Sequence, residues 1–170
     1  MKRTLIFFLL LSAWAMPMHS AAGSLSEPYA KAALQSLQAI ETDISTTEQA
    51  MKTIFDPLNA EAKSDPEKSM TKVLHQVYQQ KLIDNRLRQA EFSVLDEALA
   101  SPDALIRDYI SKQQIAQYDH DDAEMNRREA ACFEPLKKAL QNHVSENPKP
   151  CADWAALPAP PDKPSGGSEE

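Results

Sequence analysis

Between Ser24 and Ser165 this chain has no glycine; its three glycines stand at Gly23, Gly166 and Gly167. A stretch without glycine cannot take a positive φ cheaply, and tight two-residue hairpins lose their usual Asn-Gly and Asp-Gly turns. Phosphate-cradling loops and the dinucleotide fingerprint each need several glycines, so both are excluded. A domain that avoids glycine yet is rich in Ala, Leu, Gln, Glu and Lys is most simply helical.

Prolines and capping residues punctuate the helices. From Tyr29 to Phe55 there is no proline, and apolar or small residues recur at Ala30, Ala33, Leu37, Ile40, Ile44, Thr47, Met51, Ile54 and Leu58. That strict alternation of three and four predicts one helix burying a narrow seam. Ser26 suits its N-cap, Pro28 its first turn, and Asp56-Pro57 should end or kink it. Ser64-Asp65-Pro66-Glu67 reads as the next start, opening a proline-free run to Ala100. Its stripe passes through Met70, Val73, Leu74, Val77, Tyr78, Leu82, Leu87, Phe92, Leu95 and Leu99.

Ser101-Pro102-Asp103 repeats the start signal before Leu105, Ile106, Tyr109, Ile110 and Ala116. Beyond this the pattern admits several readings. Asp119-His120-Asp121-Asp122 either caps a further helix or sits on a continuous one. Pro135 either begins a short helix or kinks a longer one carrying Cys132, Leu136, Leu140 and Val144. Residues 103–145 thus form one, two or three helices. The expected fold is all-α: a long antiparallel helical hairpin, about 40 Å or more at a rise of 1.5 Å per residue, packed with one or two further helices into a bundle of coiled-coil character.

Residues 1–22 have the layout of a secretory signal peptide. Lys2 and Arg3 precede the uncharged Leu5–Ala15 run, Pro17 breaks it, and Ser20-Ala21-Ala22 offers small residues to a peptidase. The chain then divides into a signal at 1–22, a single helical domain at 23–154, and a Pro/Gly/Ser/Glu tail at 155–170 expected to be disordered. Cleavage after Ala22 removes two basic residues and moves the formal charge from −7 to −9. A net negative chain is a poor ligand for duplex nucleic acid or an anionic membrane face. No later apolar run approaches the roughly 20 residues a spanning helix needs. The expectation is a soluble periplasmic or secreted protein.

An acid precedes a base by four residues at Glu27–Lys31, Glu48–Lys52, Asp84–Arg88, Asp103–Arg107, Asp108–Lys112, Glu124–Arg128 and Glu134–Lys138. This is the favourable order on a helix surface, so much of the charge reads as solvated helix face. Cys132 and Cys151 are the only cysteines, and in an exported chain they are expected to form a disulfide that fastens Pro148-Lys149-Pro150 and Trp154 to the last helix. His120 and Glu124 share a helical face, which makes a divalent metal site geometrically possible, although a solvated helix start explains the same residues. Lys81, Arg86 and Arg88 form the densest basic cluster. They are either an exposed patch or inward-facing groups that bind an anionic substrate.

Signatures of other chemistry are missing: there is no His-Glu-x-x-His, no Gly-x-Ser-x-Gly and no Cys-x-x-Cys-His. No catalytic residue, metal or cofactor is therefore assigned. Residues 32–40 carry no charge on any face, so Gln35, Ser36 and Gln38 are a candidate partner or self-association surface. Two functions remain open. One is a non-catalytic exported protein acting through protein contacts, such as an accessory subunit of an envelope secretion or conjugation apparatus, a periplasmic chaperone or adaptor, or an immunity-type inhibitor. The other is a small cofactor-free helical enzyme using Lys81, Arg86 or Arg88.

Overall fold

The computed structural model describes residues 23–42 and 48–157. The expected signal peptide, Ile44, Thr47 and the segment from residue 158 onward lie outside them. Five helices run in the order α1 (Glu27–Thr42), α2 (Glu48–Glu61), α3 (Asp65–Leu99), α4 (Ala104–Gln141) and α5 (Lys149–Ala155). Two short strands, β1 (Gly23–Ser24) and β2 (Val144–Ser145), pair antiparallel. A Cβ at Gly23 would stand 2.4 Å from Pro66 Cγ, so close approach of the chain demands glycine there.

The single helix expected over 29–55 is instead the pair α1 and α2, folded back on each other. Ser36 Oγ donates to the carbonyl of Ile54 at 2.7 Å, whereas on one straight helix those residues would lie about 27 Å apart. The refolding resets the seam. Leu37, Ile40, Ile54, Phe55 and Leu58 are buried, but Met51 is 36% exposed, contrary to its place in the predicted stripe. Nor does Asp56-Pro57 end the helix, because α2 continues through Pro57 to Glu61. The missing N–H removes one intrahelical bond, and the fully buried Leu58 fastens the next turn to the core.

The start of α3 follows the sequence closely. Ser64 caps it in a reciprocal capping box with Glu67, and Pro66 sits in the first turn. Glu67 does more than close its own box. Its Oε1 accepts from the backbone and hydroxyl of Ser26, and its Oε2 from the backbone N–H groups of Lys63 and Ser64 at 2.9 and 2.8 Å. One carboxylate thereby joins the entrances of α1 and α3. The Ser26 hydroxyl, then the Ser64 N–H, pull its pKa down to about 2.

Residues 104–141 form one helix, passing through Pro135. The Asp119–Asp122 segment is therefore helix interior rather than a cap. Asp103 supplies the cap, accepting from the N–H groups of Leu105 and Ile106. At the far end His143 takes φ 56°, a left-handed position usually given to glycine and tolerated better by histidine than by most residues. Its carbonyl accepts from Leu25 N–H at 2.8 Å.

Contacts between α3 and α4 descend in register, from Lys81–Glu129 through Arg88–Asp122 to Phe92–Tyr118. The hairpin is antiparallel, and its members are about 52 and 57 Å long at 1.5 Å per residue. The fold is thus the expected all-α helical hairpin, packed with three further helices, α1, α2 and α5, rather than one or two, because the first expected helix is divided. Its core is gathered at one end. Buried positions on α3 stop at Asp84, and on α4 all except Ser111 lie at or beyond Met125. We call the end carrying α1, α2 and α5 the body, and residues 85–124 the arm.

Candidate functional site

Where body meets arm, a polar knot joins α3, α4 and α5. Asp84 is nearly fully buried, accepting from Trp154 Nε1 at 3.1 Å and from Gln80 Nε2 at 3.2 Å. Burial raises its pKa, against the pull of those two hydrogen bonds. Arg88 does not pair with Asp84 as helical spacing suggested. It reaches across to Asp122 at 2.7 Å and Glu129 at 2.9 Å, and also donates to Asn85 and Asn126. Lys81 bonds the other oxygen of Glu129. Desolvation works against the Arg88 charge, but its bonds to Asp122 and Glu129 prevail and raise its pKa.

Of the basic cluster, then, Lys81 and Arg88 turn inward and share Glu129, while Arg86 is exposed and apart. Two carboxylates neutralise the two inward cations. Such a network fixes the crossing of two helices, and it presents no uncompensated cation to an anionic substrate. Only three of the seven anticipated i,i+4 pairs form among the described residues: Glu48–Lys52, Asp108–Lys112 and Glu124–Arg128. Asp84 and Asp103 are taken by Trp154 and by a helix N-terminus, and Glu134 pairs with Lys137 instead.

Cys132 and Cys151 are both buried, with sulfurs 2.09 Å apart and Cα atoms 4.5 Å apart. They hold the seven-residue α5 against α4, with Trp154 edge-on to Phe133. His120 and Glu124 do not converge. His120 Nδ1 faces Asp121 at 2.9 Å, while Arg127 and Arg128 hold Glu124, whose pKa falls to about 2 through those two partners. No group of three metal-ligating side chains occurs among the described residues. In the uncharged window of α1, Gln35 and Gln38 are exposed, but Ser36 is buried and its hydroxyl is committed to Ile54. Ser36 therefore leaves the proposed surface; it is the close-packing residue between α1 and α2.

A feature that the sequence stripes did not reveal lies on the arm. Phe92, Val94, Leu99, Leu105, Ile106, Tyr109 and Ile115 are 42–84% exposed, all within one hairpin end. Sequence periodicity assigned Phe92, Leu99, Leu105, Ile106 and Tyr109 to buried stripes. They are instead uncovered, because among the described residues the buried positions of both helices end before this part of the hairpin, Ser111 aside. Scattered apolar side chains on a surface are ordinary, but seven of the eight large exposed ones among the described residues fall between Phe92 and Ile115, which makes this end of the hairpin the candidate contact region.

Between the two helices of the arm is a hollow of about 240 Å³, lined by Ala90, Glu91 and Val94 of α3 and by Gln114, Gln117 and Tyr118 of α4. Two inaccessible oxygens there, Glu91 Oε2 and Gln114 Oε1, accept no hydrogen bond from the described residues. Desolvation raises the Glu91 pKa, helped by the nearby Asp121 and Asp122 and opposed by Arg88. No helix among the described residues is long and apolar enough to cross a membrane. No protein-family model, curated protein or solved structure matches this chain.

Proposed function

We propose that the chain is an exported, non-catalytic helical protein that acts through protein–protein contact, with the end of the α3–α4 arm as its docking surface. The supporting observation is the set of seven large apolar side chains exposed on the arm, set against a body whose large apolar residues are almost all buried. A water-exposed cluster carries a solvation penalty that association relieves. Such an arm suits each of the three roles open to a binder: an accessory subunit of an envelope apparatus, a chaperone or adaptor that receives a client, and an inhibitor that plugs a toxin. Export itself is inferred from the residue 1–22 pattern, in keeping with the buried Cys132–Cys151 pair.

A photo-crosslinking residue placed at Tyr109 should give discrete adducts with another protein in the native compartment. Leu105→Ser should abolish them without changing the melting temperature. The same crosslinker at Thr53, on the exposed side of α2, should give none. Equal labelling from Thr53, or no adduct from Tyr109, overturns the assignment of the arm.

A further inference from the structure

We propose that the hollow between α3 and α4 receives a lysine or arginine side chain from the docked partner, whose binding segment is a basic amphipathic helix. This rests on the arm being the docking end, and adds the chemistry of what docks.

The lining of the hollow is of two kinds, apolar and polar. Ala90, Val94 and the Tyr118 ring offer apolar surface, and Phe92 stands edge-on to Tyr118 with ring centres 6.5 Å apart. Glu91 Oε2 and Gln114 Oε1 are both acceptors, so what they lack is a donor. Gln117 spends one of its two amide hydrogens on Asp121 and gives neither oxygen a bond. Arg88 spends four of its five N–H groups on Asp122, Glu129, Asn85 and Asn126 and likewise gives neither oxygen a bond. An aliphatic stem ending in a cation matches both kinds of lining: methylenes against the apolar side chains and a donating head toward the unpartnered oxygens. A divalent metal ion fits poorly, because it wants six or more oxygen ligands and the hollow offers one carboxylate.

The charge around the hollow points the same way. Residues 89–118 carry five carboxylates (Glu91, Asp96, Glu97, Asp103, Asp108) and two cations (Arg107, Lys112). Lys112 is paired with Asp108, and Arg107 donates to the Ser101 carbonyl. Asp96 and Glu97 have no ion pair among the described residues. A second arm would bring the same excess of acid, and an anionic lipid surface would be repelled. A helix with an apolar face flanked by lysine or arginine is complementary on both counts.

The test uses the chain from Gly23 to Glu170 and a fluorescent Leu/Lys amphipathic peptide of about five helical turns, with Leu/Gln and Leu/Glu versions as comparisons. Anisotropy should show binding in the order Leu/Lys, Leu/Gln, Leu/Glu. Glu91→Gln should weaken the Leu/Lys peptide about tenfold, the scale of one charge-assisted hydrogen bond, and leave the Leu/Gln peptide unmoved. Val94→Trp, at an exposed rim position, should do the same by filling the hollow. Asp56→Asn with Glu146→Gln, which removes equal or greater charge from the body, should change affinity less than about twofold.

If Leu/Lys and Leu/Gln peptides bind alike and only Leu105→Ser with Tyr109→Ser weakens them, the arm docks but the cation pocket is overturned. Binding untouched by any arm substitution overturns the docking end itself. Sedimentation showing a dimer that Tyr109→Ser dissociates would make the occupant a second copy, and equal binding to phosphatidylglycerol vesicles would make it a membrane. Either result overturns the basic helix.

Discussion

The body and the arm are built from the same two long helices, yet their residues answer to different neighbours. In the body, α3 and α4 meet α1, α2 and α5, and residues such as Leu74, Val77, Leu136 and Leu140 are fully buried. In the arm the described residues leave each helix with the other as its neighbour, and Leu105 is 84% exposed. Helix stability in water comes mostly from burying an apolar face. The arm therefore borrows its order from the body through helix continuity and through the Arg88–Asp122–Glu129 network at its root. The same sequence pattern serves as core at one end and stands as exposed surface at the other; what differs is whether the described residues cover it.

The largest effect that could break this contrast is charge insertion at matched leucines. Leu37→Asp should cost more than about 4 kcal/mol and unfold the body, because it buries an unpaired carboxylate. Leu105→Asp should stay within about 0.5 kcal/mol in the same denaturant titration. Similar losses from both would mean that the arm is packed after all. Cys132→Ser with Cys151→Ser should come next, at about 3 kcal/mol for a loop of this size, with the far-ultraviolet helical signal retained. An undiminished melting temperature would show that α5 needs no covalent tie.

Glu67→Gln should be smaller, about 1.5–3 kcal/mol, and has a pH signature. The Glu67 carboxyl titrates at about 2 in the fold against an ordinary value of 4.5. The stability it adds is therefore complete above 4.5 and drains away as pH falls toward 2. Thermal melts across that interval should flatten in the glutamine variant. An unchanged slope would remove Glu67 as the link between the entrances of α1 and α3.

Legibility in the sequence followed locality. Ser64-Asp65-Pro66-Glu67 specifies a helix start within four residues, and it formed as read, whereas the second role of Glu67, reaching Ser26, is a contact 41 residues distant that no local pattern encodes. The division of α1 from α2 had a local signal that the unbroken three-four spacing masked: Ser45-Thr46-Thr47-Glu48 has the spacing of a capping box. Asp84–Arg88 had ideal spacing yet lost to Trp154 and Asp122, since burial rewards partners that the helix surface cannot supply. The exposed arm followed from length alone. Helices of 16 and 14 residues, with a seven-residue α5, cannot cover partners of 35 and 38. Nothing in the stripe through Phe92 or Tyr109 distinguishes a covered face from a bare one.

The continuity of α3 and α4 across the polar knot makes the arm a lever. Its free end stands about 20 Å beyond the root at 1.5 Å per residue, so a swing of about 10° there carries the apolar end through about 4 Å. The root turns on charge pairs at its edge, Arg88 with Asp122 and Lys81 with Glu129. Both pairs are largely withdrawn from water, with Lys81 and Glu129 only 13% and 9% exposed, so added salt screens them weakly and the crossing keeps its stiffness across ionic strengths. The position of the apolar end is then set by the stiffness of one crossing rather than by the contacts at the end itself.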